Sequence, residues 1–151
     1  TICSIDKRIS ILIRIAEELK SKNIKFKFIT YSKKHKVSDD KITYINKFLS
    51  LAEVDSYVSR SKVLLDINRA GQIGLTFRVF ESLGLEKKLI TTNSDIKNYD
   101  FYNPNNILII DEKNPVIPAA FFENEYEKIP DEIYKKYTVD GWIENVIYNK
   151  S

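Results

Sequence analysis

Apolar and polar positions along this chain follow two rhythms, and the switches between them predict an alternation of strands and helices. Thr1 to Cys3 reads as the end of a first strand, followed by a loop from Ser4 to Lys7. Ile9, Leu12, Ile13, Ala16 and Leu19 then fall at helical spacing, with Glu17 and Glu18 on the polar side and an end near Ser21 to Asn23. Ile24, Phe26 and Phe28 alternate with lysines, the pattern of a half-buried strand. After a polar stretch from Ser32 to Lys41, Ile42, Tyr44 and Ile45 predict a third strand, and Leu51, Val54 and Val58 a short helix leading into Ser61. Val63, Leu64 and Leu65 form the continuous apolar run of a strand buried on both faces, and Lys88 to Thr91 opens another. Between these runs Leu75, Thr76, Val79, Phe80 and Leu83 give a helical stripe. Asp95 to Tyr99 reads as a short turn or helix, Asn103-Pro104-Asn105-Asn106 as turn chemistry, and Ile107 to Ile110 as a sixth strand. Ala119 to Tyr126 fits a brief helix. Val139, Trp142, Ile143, Val146 and Ile147 predict a closing helix capped by Thr138 or Asp140.

Strands that alternate with helices predict one α/β domain over residues 1–151. Its expected form is an open, mostly parallel six-stranded sheet in the order 3-2-1-4-5-6, with helices on both faces. Phe26, Phe28, Tyr44, Phe48 and Trp142 read as core. That strand order makes strands 1 and 4 neighbours, so the loops Ser4 to Arg8 and Asp66 to Thr76 should converge on one crevice.

The second of these loops carries the most chemistry. Gly71 and Gly74 permit a tight turn just before the helical stripe, and the start of such a helix offers free N–H groups and a positive dipole end to an anion. A glycine loop alone is also what any strand-to-helix connection needs. Glu81 sharpens it, followed by Ser82-Leu83-Gly84-Leu85-Glu86-Lys87-Lys88-Leu89-Ile90. This string resembles the donor-site signature of GT-B glycosyltransferases, a helical glutamate ahead of a small-residue turn and a buried strand. The run DINRAGQIGLTFRVFESLGLEKKLITTN, with YDFYNPNNILIID after it, resembles a subgroup among bacterial polysaccharide and lipopolysaccharide biosynthesis proteins.

The resemblance implies a Rossmann-like domain forming one half of a GT-B fold, which binds the nucleotide-sugar donor. It implies that Glu81 holds the ribose hydroxyls, since a carboxylate accepts two hydrogen bonds in fixed geometry. Gly74, Leu75 and Thr76 would meet the donor diphosphate, with Arg8 reaching it from the first loop and Lys7 a weaker candidate. Gln72, Asn68, Arg69 and Asp66 would border the sugar or phosphate, and Tyr44 to Leu49 the base. Each has a bland alternative: a helix cap for Thr76, an exposed surface for Arg8, a salt bridge to Arg78 for Glu81, a loop contact for Asp66. Many retaining members carry two glutamates with seven residues between them, and the earlier position here is Ile73. The reaction implied is sugar transfer to a glycan or lipid-linked acceptor, with no metal and no cofactor beyond the donor substrate. The chain has no methionine and begins Thr1-Ile2-Cys3. It therefore reads as cut from something longer, the other part being the amino-terminal acceptor half.

Composition narrows the alternatives. The 151 residues carry a formal net charge of +3, which is that of a soluble globular domain. The single Cys3 has no disulfide partner and His35 lies in a polar run, so a reducing cytoplasm fits, with peripheral attachment at the inner face of the membrane left open. No apolar run approaches the roughly 20 residues that span a bilayer, and no signal peptide is visible. Charge is uneven, with twelve basic against five acidic residues from Thr1 to Lys47 and nine acidic against five basic from Asp111 onward. A basic face could meet nucleic acid, but the aromatics read as core rather than as a stacking platform, so no nucleic-acid partner is expected. The rival class is a non-catalytic Rossmann-like regulatory or scaffolding module.

Overall fold

Strand pairing in the computed structural model is parallel throughout its described residues, which are 1–4, 8–33, 38, 40–69, 71–72, 74–144 and 147. β1 (Ile2–Ser4), β2 (Ile29–Tyr31) and β3 (Thr43–Ile45) form one three-stranded sheet in that order. β4 (Val63–Asp66), β5 (Lys88–Thr91) and β6 (Ile107–Ile109) form a second. The single six-stranded sheet expected from the pattern is therefore corrected to two sheets of three strands. Among the described residues β1 pairs with β2 on one edge only, and an open cleft lined by Thr1, Phe28, Val63 and Leu65 separates β4 from the first sheet, so no ladder joins the two.

Side-chain packing joins what the ladders do not. Successive residues of a strand point to opposite faces. Leu64, Leu89 and Ile107 accordingly enter one core, while Leu65, Ile90 and Leu108 enter another. The first of these cores contains Val58 of α2 (Leu51–Ser59), Val79 and Leu83 of α3 (Phe77–Gly84), and Ile96 of a 3-10 turn over Ser94–Asn98. The second gathers α1 (Ile9–Ser21) with Phe28, Ile42, Leu65, Ile90 and Ile117, so it draws on both sheets. Phe121 of α4 (Ala120–Glu123) closes it. Two short helices, α5 (Asp131–Lys136) and α6 (Val139–Ile143), complete the described order. No helix among the described residues is long and apolar enough to cross a membrane.

Most predicted elements lie where the periodicity put them, and the exceptions have physical causes. The buried face of α1 is Ile11, Leu12, Ile15, Ala16 and Leu19, with Ile9 and Ile13 half-buried at its margin. The run from Ile9 to Ile15 is apolar at almost every position, so spacing alone could not orient it. Ile24, Phe26 and Phe28 pack on the core but lie outside any ladder, and β2 starts one residue later, at Ile29. Phe48, expected in the core, is 77% exposed and stacks on Tyr31 with ring centroids 4.1 Å apart. The helix α5 was not foreseen. The side chains of Trp142 and Val146, like His35 and Ile73, lie outside the described residues.

Helix ends are set by short hydrogen-bonded motifs. At α2 Ser50 and Glu53 form a reciprocal capping box: the Ser50 hydroxyl accepts the Glu53 N–H, and the Ser50 N–H donates to the Glu53 carboxylate. At the end of α3 the Lys87 N–H donates to the Ser82 carbonyl at 2.9 Å and the Glu86 N–H to the Leu83 carbonyl at 3.2 Å. This wrap requires the left-handed conformation at Glu86, whose φ is +50°. Asn23 does the same after α1 at φ +57°.

Two outcomes are expected. Glu86→Gly should stabilise the fold by about 0.5–1 kcal/mol, because glycine removes the Cβ strain at a left-handed position, and urea denaturation would measure it. The second concerns Glu18, whose carboxylate pairs with Lys22 and accepts the Ile117 N–H at 3.0 Å, pinning the 117 loop to α1. The Lys22 hydrogen bond, then the Ile117 N–H, hold its carboxyl below the usual glutamate range. This stabilisation is complete above that range and is lost as pH falls through the folded-state value. Denaturation midpoints compared at about pH 6 and about pH 3 should therefore drop less for Glu18→Gln than for the unaltered chain.

Candidate functional site

At the carboxyl end of β4, beside the start of β1, the chain builds a crevice of about 210 Å³ lined by Ile2, Arg8, Asp66, Gln72, Thr76 and Arg78, among others. Of the first of the two loops expected to converge here, the described residue Arg8 meets the second. The Arg8 guanidinium crosses from the β1 side and donates to the Ile67 carbonyl at 3.3 Å.

The centre of the site is Asp66, the last residue of β4, only 6% exposed. Its two carboxylate oxygens accept from two hydroxyls, Thr76 Oγ1 at 2.9 Å and Thr91 Oγ1 at 3.3 Å. Burial raises its pKa above the ordinary aspartate value; the two hydroxyls, then the positive charges of Arg78 and Arg8, pull it down. Asp66 lines the crevice and at the same time joins β4, β5 and the start of α3 through these two hydroxyls.

The residues after β5 fix the glycine loop from the other side. Asn93 Nδ2 donates to the Gly74 carbonyl at 3.0 Å, and the Thr92 hydroxyl accepts the Asn68 N–H at 3.1 Å. Thr91, Thr92 and Asn93 carried no assigned role in the sequence reading. The signal was present as three hydrogen-bonding residues in a row at the end of a buried strand. Gly71 and Gly74 take φ of +77° and +86°, so backbone conformation and not space demands glycine there, since an added Cβ would meet nothing within 4 Å.

The start of α3 is left open in a particular way. Thr76 is its N-cap, yet the hydroxyl makes no capping hydrogen bond and turns to Asp66 instead. Among the described residues no side chain caps the first turn of α3, whose Val79 N–H returns to the Thr76 carbonyl at 3.1 Å. Leu75 is half-buried against the core that Val79 occupies. Arg78, in the first turn, lines the crevice and pairs with Glu81 one turn on, the two side chains 20% and 18% exposed. Glu81 does not line the crevice among its described residues and reaches it through Arg78. Gln72 lines the crevice while its side-chain oxygen accepts the Arg69 N–H at 3.2 Å, closing a turn in which the Gln72 N–H returns to the Arg69 carbonyl at 3.0 Å. Arg69 itself is exposed, and Asn68 Oδ1 is buried with no hydrogen-bond partner among the described residues.

The geometry brings Arg8, Gln72, Thr76 and Arg78 together around the buried Asp66 carboxyl group. It sets Glu81 behind Arg78, and Asn68 and Arg69 along the loop beneath. A crevice with two guanidiniums and an uncapped helix start is suited to an anion carrying oxygen acceptors. No cluster of three His, Cys, Asp or Glu side chains that could hold a metal occurs among the described residues. Comparison with protein-family models, with curated proteins and with solved structures returns no match.

The Asp66 network makes a direct prediction. Thr76→Val and Thr91→Val each remove a hydroxyl that favours the ionised form, so each should raise the Asp66 pKa further, read as the carbon-13 titration of its carboxyl group. An unchanged titration in both variants would mean that the hydroxyls do not donate to Asp66.

Proposed function

We propose that the chain is the nucleotide-sugar-binding domain of a GT-B-type glycosyltransferase, a Rossmann-like half that presents the donor for transfer to a glycan or lipid-linked acceptor. Bacterial surface polysaccharide or lipopolysaccharide synthesis is the setting, at the cytoplasmic side of the membrane. The observation that carries the reading is the crevice in which the open start of α3, the Thr76 hydroxyl, Arg8 and Arg78 face one another. At about 210 Å³ it is smaller than the roughly 300–1,000 Å³ of pockets that enclose a whole ligand. It suits the diphosphate, with sugar and nucleoside extending beyond it.

In this reading the leaving diphosphate is stabilised by guanidiniums and the helix dipole, which act on the charge that develops as the glycosidic bond breaks. No metal or cofactor is invoked; the nucleotide-sugar is the substrate. Glu81 takes the ribose hydroxyls once Arg78 has turned from it to the diphosphate, so the Arg78–Glu81 ion pair is exchanged for two ligand contacts. That same ion pair is also what a structural glutamate makes, and it favours a second reading, a non-catalytic Rossmann-like regulatory or scaffolding module.

Calorimetry distinguishes them. The chain should bind UDP, GDP, ADP or CDP weakly. Glu81→Gln should weaken nucleoside diphosphates while sparing inorganic pyrophosphate, and Arg8→Ala should weaken both, each by about 1.5–3 kcal/mol. No heat with any of these ligands at about millimolar concentration would remove the donor-site reading. Equal losses for both ligand types in a folded Glu81→Gln variant would assign Glu81 to structure.

A further inference from the structure

The end of α3, the turn after it and the segment leading into α5 border a cavity of about 500 Å³ that shares no lining residue with the crevice. That volume lies within the roughly 300–1,000 Å³ of pockets that hold small ligands. Leu83 and Ile129 give it a buried apolar lining, and Tyr126 and Tyr134 add two aromatic rings. Its charged groups are Glu86, Lys128 and Asp131.

These polar groups are incompletely matched within the protein. Lys128 pairs with Asp131 at 3.0 Å, whereas Glu86 makes no ion pair among the described residues. Two carboxylates against one ammonium leave the lining with a net negative charge. The hydroxyls of Tyr126 and Tyr134 make no hydrogen bond among the described residues, although Tyr126 is half-buried. Burial, then the charge of Glu86 and the neighbouring Tyr134, push the Tyr126 hydroxyl up to about 12, so it stays protonated and neutral at ordinary pH. The Tyr134 hydroxyl lies over Gly84, 3.7 Å from where a Cβ would stand. Glu86 presents its carboxylate from a left-handed backbone, φ +50°, where glycine would relieve the strain.

An anion in this cavity would meet the Glu86 carboxylate, and an apolar guest would take water from that carboxylate and both hydroxyls without replacing it. A cation does neither. Aromatic rings attract it through their negative faces, and the three oxygen groups of Glu86, Tyr126 and Tyr134 match the three donors of a primary ammonium. We propose that the cavity binds a primary alkylammonium ion, its N–H groups donating to Glu86 and the two tyrosine oxygens and its alkyl chain lying on Leu83 and Ile129. The inference goes beyond the donor-site reading and does not rest on it, since none of Arg8, Thr76, Arg78 and Glu81 lines this cavity. A free amine and the lysine side chain of a partner carry the same group.

The test titrates the chain at neutral pH with pentylamine and, separately, with pentanol, which has the same alkyl chain without the charge. The ring resonances of Tyr126 and Tyr134 report binding by NMR. Pentylamine should bind about tenfold more tightly than pentanol. Glu86→Gly should weaken pentylamine about fivefold while leaving the fold at least as stable, so that lost binding is not lost folding. Lys128→Gln should strengthen it, because the Lys128 ammonium also lies in the field of Glu86. Acetyl-lysine methylamide binding as tightly as pentylamine would assign the site to a partner's lysine, and weaker binding to a free amine. Equal affinities for pentylamine and pentanol, or an unchanged pentylamine affinity in the folded Glu86→Gly variant, would overturn the proposal.

Discussion

The arrangement of the site depends on one buried carboxylate. Asp66 ends β4 with both oxygens taken by hydroxyls, one from the N-cap of α3 and one from β5. An ionised group at 6% exposure is costly unless its acceptors are filled, and removing one partner of such a set leaves the whole desolvation penalty behind. The loop between β4 and α3 must therefore bring Thr76 back to Asp66. Positive φ at Gly71 and Gly74 gives it that path, and the Asn93 amide on the Gly74 carbonyl holds it there. Because Thr76 is drawn inward, it does not cap its own helix, and the positive end of α3 faces the crevice. The constraint that secures the fold thus also leaves open the groups an anion would use.

A second constraint acts across the molecule. Hydrogen bonds divide the strands into two ladders of three, yet one hydrophobic core draws on both, with Leu12 and Ile15 of α1 fully buried between Phe28 and Ile42 on one side and Leu65, Ile90 and Ile110 on the other. Non-directional apolar burial can hold two sheets together where a directional ladder is not formed. Arg8 adds a polar link at the crevice end through the Ile67 carbonyl. The halves are therefore tied at the crevice and in the core, and remain apart at the cleft.

How far the site could be read from the chain depends on the kind of interaction. Gly71, Gly74 and Thr76 announced a tight turn and a helix start, since conformational freedom and capping chemistry belong to single residues. Arg8 was expected beside that loop from a single-sheet strand order that does not form, and it reaches the Ile67 carbonyl from a separate sheet. The roles of Thr91, Thr92 and Asn93 were not legible, because each depends on a partner between 19 and 25 positions earlier in the chain. Asp66 was visible as a candidate but not as a hub, since nothing local says that two hydroxyls will reach it. Glu81 stood out as a helical carboxylate, with Arg78 its evident alternative partner at i,i+3, and that pair forms.

The sequence by itself determined the succession of elements. Period and turn chemistry are local properties, and β5 and most helices follow them closely; even the unremarked capping box is spelled out by Ser50 and Glu53. Composition likewise excluded a spanning helix and a disulfide framework. Tertiary structure decided which face of α1 is buried, because Ile9 to Ile15 is apolar nearly throughout and only the surrounding strands break the tie. It decided that Phe48 stands exposed on Tyr31, since an aromatic in an apolar pattern is buried only if something covers it. And it decided that the strands divide into two ladders, because a strand edge is satisfied by whatever lies beside it in space, and adjacency in space is what periodicity along a chain does not encode.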